Sequence, residues 1–400
     1  MKLSKIGRIS MAFVVSVAMG LGMTSCGGGT VGFMWVLGTQ YNQISGFKID
    51  NYTGNLTSIV GSPFPSSGAT PVSVVVRPGG RYIYVVNKGD GTNPGNVAEF
   101  SVGGDGILTF QAAFTPQGAT PVWAQMDSSG SFLYVLSQVS PDGVNGGITV
   151  FSIAGDTGRL SLVPNNALKN ANGTQYTYFP VGKTPIMMVT SGACLFTVNS
   201  ADQTVFAYST TGTGQLTQTT NSTIATQGVK LTSISVNGSY VYLTDAGATT
   251  DSPGGYILPY TVGSTCSLQT LTGGSVANLP LTSNPTYSYT VKGKYLYVLN
   301  QKTINTNNAN STISAYTIDA TNGKLQQIGD SNNPYPVGSG PVCMGLDPTG
   351  QYVYISNNTD STVTGKIVNS NTGQLSDLTR GSTFPTTGRA TCLVISGSTS

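Results

Sequence analysis

The chain contains no histidine and only one glutamate, Glu99, among its 400 residues. Histidine is the side chain best suited to proton transfer near neutral pH, so its absence excludes Ser-His-Asp and Cys-His nucleophile systems. Zinc or iron would have to be held by aspartate, cysteine and this single glutamate. We therefore predict no metal site and no cofactor. Isolated aspartates follow several predicted strands (Asp90, Asp202, Asp245, Asp360). They lack the dense spacing of a calcium loop, so we expect them to cap turns, and a weak calcium site is left open.

Charged residues are also scarce, with 18 Lys and Arg and 15 Asp and Glu. The formal net charge of +3 comes from Lys2, Lys5 and Arg8, so the rest of the chain is neutral. A neutral body without a basic cluster argues against a nucleic-acid partner, because nucleic-acid binding depends on neutralising phosphates. Gly, Thr, Ser and Asn are abundant instead, which favours strands joined by tight turns over helices.

The first 25 residues are a predicted export signal. A basic start is followed by an apolar run over residues 11–23, which is too short to span a bilayer comfortably. The phrase Met23-Thr-Ser-Cys26 resembles the lipobox of bacterial lipoproteins. The resemblance implies cleavage before Cys26, lipidation of its thiol, a tether over residues 26–30, and attachment in the cell envelope. We expect the outer membrane, on its periplasmic or surface face. The alternative is an ordinary secretion signal with an incidental cysteine.

One phrase recurs seven times: a glycine, one or two variable residues, then an alternating aromatic and β-branched run. The glycines, 46 to 62 residues apart, are Gly32, Gly80, Gly130, Gly192, Gly238, Gly293 and Gly350. A period near 50 built from short strands is typical of a β-propeller with one blade per repeat. We predict one all-β domain over residues 31–400, a seven-bladed β-propeller with four-stranded antiparallel blades, and we expect a monomer.

Each repeat continues in a regular way after its glycine phrase. A polar loop opens with Asn or Asp in five copies, and a third strand then ends in an aromatic, except that Lys366 stands there in the seventh copy. A turn with a central glycine follows, and in the fifth repeat Cys266 replaces that glycine. After the tether, the first predicted strand (residues 33–37) corresponds to a second strand, and an unmatched inner strand is predicted over residues 390–396. We therefore expect the C-terminal strand to complete the first blade and close the ring.

The repeated phrase resembles the YVTN-type repeats of the bacterial lactonase family of seven-bladed propellers, over about residues 31–400. The clearest copy is the segment Gly338–Asn357. That family includes 6-phosphogluconolactonase-like proteins and the carboxymuconate-cyclising enzyme. The resemblance implies the fold; if the chain is an enzyme, it implies a lactone hydrolase.

The chain departs from the family at the inner strands, where the enzymes typically read Gly-x-x-Pro-Arg-His. Here the clearest copy reads Pro341-Val342-Cys343, and no inner strand keeps the Arg-His pair. Other candidates for a ligand site remain. Lys183, Lys230 and Arg389 lie in loops predicted to share one rim, where they could bind an anionic small molecule or a glycan, or be solvated loop charges. Trp123 and Tyr287 could stack on a sugar, or fill the channel and pack between blades.

Four cysteines remain after Cys26, an even number in an exported protein. Cys343 and Cys392 occupy the same register on neighbouring inner strands, so a disulfide there would clasp the ring closure. Cys194 and Cys266 lie near turns of adjacent repeats on the opposite rim, where pairing is geometrically possible. Buried free thiols are the alternative for both pairs.

Three functions are consistent with these observations. The first is a cell-envelope binding or scaffold protein, taking a small anionic or sugar ligand or an envelope protein as partner. The second is a lactonase whose site has been rebuilt from Lys and Arg. The third is a structural or adhesive surface protein, which the Thr-, Asn- and Gly-rich composition would suit. The missing histidine and Arg-His pairs favour the first over the second.

Overall fold

The computed structural model describes residues 29–247, 255–271, 273–277, 284–301 and 311–397. Its strands form seven antiparallel sheets, each one blade. Within the described residues, no helix has the length and hydrophobicity needed to cross a membrane. The sequence-based prediction of a seven-bladed all-β propeller is confirmed.

The strands follow one another blade by blade. The first blade contains β1 (Thr30–Gly38), β2 (Gln43–Asp50), β3 (Leu56–Ser58) and β4 (Phe64–Pro65). The second contains β5 (Pro71–Val76), β6 (Tyr82–Asn87), β7 (Asn96–Val102) and β8 (Leu108–Phe114). The third contains β9 (Ala119–Met126), β10 (Phe132–Val139), β11 (Gly147–Ile153), β12 (Leu160–Val163) and β13 (Phe179–Pro180). The fourth contains β14 (Pro185–Ser191), β15 (Cys194–Asn199), β16 (Thr204–Thr210) and β17 (Leu216–Ala225).

The remaining blades repeat this order. The fifth contains β18 (Leu231–Asn237), β19 (Tyr240–Asp245), β20 (Tyr256–Val262), β21 (Leu268–Thr270) and β22 (Val276–Ala277). The sixth contains β23 (Asn284–Val291), β24 (Tyr295–Gln301), β25 (Thr312–Ile318), β26 (Leu325–Gln327) and β27 (Tyr335–Pro336). The seventh contains β28 (Pro341–Leu346), β29 (Tyr352–Asn357), β30 (Thr362–Val368), β31 (Leu375–Asp377) and β32 (Thr383–Pro385). The last strand is β33 (Ala390–Gly397).

The chain ends close the ring. β33 pairs antiparallel with β1 and is the inner strand of the first blade. Each inner strand packs against the next around the circle, in the order β33, β5, β9, β14, β18, β23, β28 and back to β33. The expected closure by the C-terminal strand is therefore confirmed, and β1 is paired on both of its edges.

The outer strands differ from the prediction of one continuous strand per blade. In five blades the outer strand is split into two pieces that pair with the same third strand, as β3 and β4 do with β2. Between these pieces the backbone turns away, and side chains take over the hydrogen bonds. For example, the Gly46 amide donates to Ser62 Oγ at 2.9 Å.

The repeated Gly-x-Tyr-x-Tyr phrase joins neighbouring blades. The first aromatic ring lies over the hairpin glycine of the next blade, and a Cβ added to Gly158 would come within 2.6 Å of the Tyr82 ring. The second aromatic donates a hydrogen bond to that glycine's carbonyl, as Tyr84 does to Gly158 at 2.6 Å. The same bond occurs at four further junctions: Trp35 to Gly106, Tyr242 to Gly323, Tyr297 to Gly373 and Tyr354 to Gly54.

A disulfide replaces this aromatic contact between blades four and five. Cys194 occupies the position of the first aromatic, and Cys266 occupies that of the hairpin glycine, with a φ of 58°. Their Cα atoms are 5.5 Å apart and their sulfurs are bonded. A second disulfide links Cys343 to Cys392, with Cα atoms 5.1 Å apart, across the junction between blade seven and the closing strand.

Lys366 is buried in β30, where the other blades have an aromatic side chain, and is only 4% exposed. Its Nζ donates to Asp377 Oδ1 at 2.6 Å, on the outer strand β31. The hydrogen bond from Lys366 and its positive charge hold the pKa of Asp377 below its usual range. The lysine that replaces the aromatic residue in the seventh repeat is therefore a buried cation, and its partner Asp377 lies on the outer strand.

Candidate functional site

The candidate site is the mouth of the central channel on the face that we call the upper face. This face carries the loops that lead into the inner strands and the loops that join second to third strands. The two sets of loops touch, as where the Lys88 amide donates to the Thr70 carbonyl at 2.8 Å. The lower face carries the hairpins between third and outer strands.

Every inner strand has a β-bulge or register shift at its upper end. The residue after the proline, or after its equivalent, falls in this irregularity and is half-buried. These seven residues are Val72, Val122, Ile186, Thr232, Thr286, Val342 and Thr391. A bulge re-aims a side chain at the end of a strand, so these positions are suited to carry functional groups. None of them is ionisable.

Two of the three threonines among these residues link neighbouring blades, whereas Thr232 bonds to Thr244 within its own blade. Thr286 donates to the Pro341 carbonyl at 2.6 Å, and Thr391 donates to the Pro71 carbonyl at 2.9 Å. Each bond joins one inner strand to the next. These hydroxyls are therefore already used in the ring's own structure.

Trp123 and Tyr287 meet across the channel. Trp123 lies on the third blade and Tyr287 on the sixth, and their ring centroids are 6.4 Å apart at 40°. Because these blades are not neighbours, the contact crosses the axis and fills the channel at this level. Burial raises the pKa of the Tyr287 phenol above its usual value, so the group stays protonated. Trp123 Nε1 is buried and has no hydrogen-bond partner among the described residues.

The three predicted rim cations all lie on the upper face and are exposed. Lys183 and Lys230 are on neighbouring blades, the fourth and fifth, whereas Arg389 leads into the first blade, three blades from either. Within the described part of the chain, none of the three side chains has a hydrogen bond or an ion pair. The structure thus groups two of them and separates the third.

Aspartates fix the backbone that carries these lysines. Asp202 Oδ2 accepts the Lys183 amide at 3.0 Å, and Asp245 Oδ1 accepts the Lys230 amide at 2.7 Å. Asp360 accepts the Ser339 amide in blade seven in the same way. These carboxylates therefore serve as turn caps. Over the described ranges, no three His, Cys, Asp or Glu side chains are grouped to hold a metal ion.

Buried asparagines support the same loops, where the sequence indicated the openings of polar loops. Asn357 ends its strand fully buried, and its amide donates to Thr362 at 3.0 Å and Thr364 at 2.9 Å. Gly338 packs directly on it, because an added Cβ would lie 2.5 Å from Asn357 Nδ2. Asn87 and Gly68 repeat this contact. In the sequence, only the recurring spacing of asparagine and glycine could have indicated that the two residues pack together.

Comparison with known proteins identifies relatives of this architecture. The family model "Lactonase, 7-bladed beta-propeller" matches residues 30–176 and 288–394. The periplasmic gluconolactonase of Pseudomonas aeruginosa is 16% identical, with a TM-score of 0.68 over 92% of this chain and 100% of that one. A candidate 6-phosphogluconolactonase from Bacteroides uniformis is 17% identical, with a TM-score of 0.69 over 92% and 100%. No curated protein matches. At these identities the structural likeness shows the fold alone.

Proposed function

The chain belongs to the seven-bladed β-propeller lactonase family, and from this premise we propose that it is a ligand-binding propeller of the cell envelope without lactonase chemistry. The observation that carries the proposal is the set of seven bulge positions at the channel mouth, which hold only Val, Ile and Thr. The enzymes that the chain resembles carry arginine there, followed by histidine, and this chain has no histidine at all. Proton transfer at the mouth therefore lacks its usual group.

The mouth retains features that suit binding. Trp123 Nε1 is a buried donor without a partner, which is costly unless a water or a ligand supplies an acceptor. Lys183 and Lys230 lie at the upper ends of adjacent blades, on the same face as the mouth, and their ammonium groups have no partner among the described residues. A small anionic molecule or sugar acid fits this combination, because its oxygens would accept from the indole and its charge would be attracted by the lysines. An envelope protein is the other partner we consider.

Ligand profiling of the full chain tests this proposal. Thermal shift with sugar acids, sugar lactones and envelope glycans should reveal a stabilising ligand. Trp123→Phe should weaken that ligand about two- to tenfold by removing one donor. Lys183→Gln should weaken it and reduce its salt dependence. Lys324→Gln, an exposed lysine on the lower face, is the matched control and should change neither. If no ligand responds to Trp123 and Lys183, the proposal fails.

A lactonase with a rebuilt site is the second candidate, favoured by the unpaired cations on blades four and five. It predicts turnover of a sugar lactone that is abolished in Lys183→Gln or Arg389→Gln. A binding protein predicts no turnover above the rate in buffer.

We also propose that the protein is a monomer held in the cell envelope by a lipid on Cys26. The support is the basic and apolar segment over residues 1–25 followed by Cys26, all of which lie outside the described residues. Cys26→Ser should move the protein from the membrane fraction to the soluble fraction of its host. Unchanged membrane association of this variant would contradict the anchor.

A further inference from the structure

One junction of the ring has neither the aromatic hydrogen bond nor a disulfide. Tyr134, on the third blade, occupies the same position as Tyr84 and faces the fourth blade. It is 1% exposed, yet its hydroxyl has no hydrogen-bond partner among the described residues. The hairpin glycine of blade four, Gly214, still packs against the Phe132 ring, and Gln215 Nε2 donates to the Pro164 carbonyl of blade three at 2.7 Å. At five other junctions the equivalent hydroxyl or indole group donates a hydrogen bond to the hairpin glycine of the next blade.

The same junction opens into the lower face as a cleft of about 690 Å³. Tyr134 and Phe132 line it from blade three, and Thr190, Thr210 and Thr211 line it from blade four. The unpartnered hydroxyl therefore lies on the wall of a cavity whose size is typical of small-molecule sites. The hydroxyl is not sealed from solvent, so a ligand in the cleft could reach it and supply the hydrogen-bond partner that the fold does not.

The chemistry of the cleft is neutral and rich in hydroxyl groups. No lysine or arginine lines it, and its one carboxylate, Asp127, already accepts the amides of Ser131 at 2.8 Å and Phe132 at 2.6 Å. Serine and threonine hydroxyls both donate and accept. Burial, with a smaller contribution from the Asp127 charge, raises the pKa of Tyr134 to about 12. The phenol therefore remains a donor at every physiological pH.

We propose that the cleft between blades three and four binds a neutral carbohydrate or polyol, with the Tyr134 hydroxyl as the central hydrogen-bonding group. The Thr210 and Thr211 hydroxyls donate to the Ala193 and Gln215 carbonyls, so they can accept from the hydroxyls of a sugar, while Tyr134 can donate to one. The half-buried ring of Phe132 offers an apolar surface for the C–H groups of a pyranose. An anionic ligand would meet the Asp127 carboxylate without any cation to balance it. This site is on the face opposite the channel mouth and is independent of the function proposed above.

The test is calorimetric titration of the full chain with cellobiose, maltotriose, N,N′-diacetylchitobiose and glucitol, with gluconate as the charged comparison. We expect at least one neutral probe to bind and gluconate to bind less well. Tyr134→Phe should weaken the binding about two- to tenfold. It should not lower the midpoint of urea unfolding, because the hydroxyl that it removes has no partner in the fold.

Tyr84→Phe is the matched control at the neighbouring junction. It removes a hydroxyl that bonds to Gly158, so it should lower the unfolding midpoint and leave the sugar affinity unchanged. Lys183→Gln on the upper face should also leave this affinity unchanged. The proposal is overturned if none of the four neutral probes binds at millimolar concentration. It is also overturned if Tyr134→Phe binds as tightly as the unmodified chain.

Discussion

The disulfide between Cys194 and Cys266 should be the strongest single link between blades four and five. It closes a loop of 72 residues in the sequence. In the chain-entropy description, a loop of that length stabilises the fold by about 4 kcal/mol relative to the open chain. Cys194→Ala combined with Cys266→Gly should therefore lower the free energy of unfolding by about that amount. Glycine is chosen because the backbone φ of 58° strains other residues.

The other junctions suggest how to restore part of the loss. The triple variant Cys194→Tyr, Phe196→Tyr and Cys266→Gly rebuilds the arrangement of Tyr82, Tyr84 and Gly158. A buried aromatic ring is worth about 2 kcal/mol and a hydrogen bond about 1 kcal/mol, before the cost of imperfect packing. We expect the triple variant to recover about half of the stability that the double variant loses.

Urea unfolding of the three proteins under oxidising conditions, followed by tyrosine fluorescence and far-ultraviolet circular dichroism, measures these differences. An unfolding free energy in the double variant equal to that of the unmodified chain would refute the role of the disulfide. A triple variant no more stable than the double variant would refute the interpretation that disulfide and aromatic contact are equivalent.

Three further predictions concern closure and buried charge. Deleting residues 388–400 removes the strand that completes the first blade, so gel filtration should show oligomers or aggregates in place of a monomer. Glu99→Gln should stabilise the protein at neutral pH, because burial disfavours the charged carboxylate and raises its pKa, and glutamine removes the charge while keeping the buried volume. The gain should shrink as pH falls towards 4.5, the ordinary pKa of the group, and urea titrations at several pH values measure it. Asp377→Ala should destabilise by about 1–2 kcal/mol, less than for a fully buried pair because the Asp377 side chain is 70% exposed, whereas Lys366→Tyr, measured in the same assay, should be neutral or stabilising.

The sequence was sufficient to predict the fold because the repeated phrase encodes a local contact. In Gly80-Arg-Tyr82-Ile-Tyr84 both tyrosines reach the next blade's hairpin glycine, so phrase and glycine must recur together. The replacement of that glycine by Cys266 was visible in the sequence, and so was the odd residue Lys366. The structural role of each replacement became clear only from its partner, which is Cys194 for Cys266 and Asp377 for Lys366.

The site was less predictable because its features depend on geometry around the ring. Nothing in the sequence near Trp123 indicates that it meets Tyr287 from a blade nearly opposite. The β-bulges arise from strand pairing and leave no mark in composition. Tyr134 has the same local phrase as Tyr84, so nothing in its own segment of the sequence indicates that its hydroxyl makes no hydrogen bond to the next blade.

Hydrolysis of a sugar lactone by the full chain is the most direct test of the central claim, that the channel mouth binds without catalysing. The assay compares 6-phosphogluconolactone and gluconolactone with and without protein, and repeats any positive result with Lys183→Gln. We predict the same rate in both samples. Turnover that depends on protein and is lost in Lys183→Gln would contradict the account.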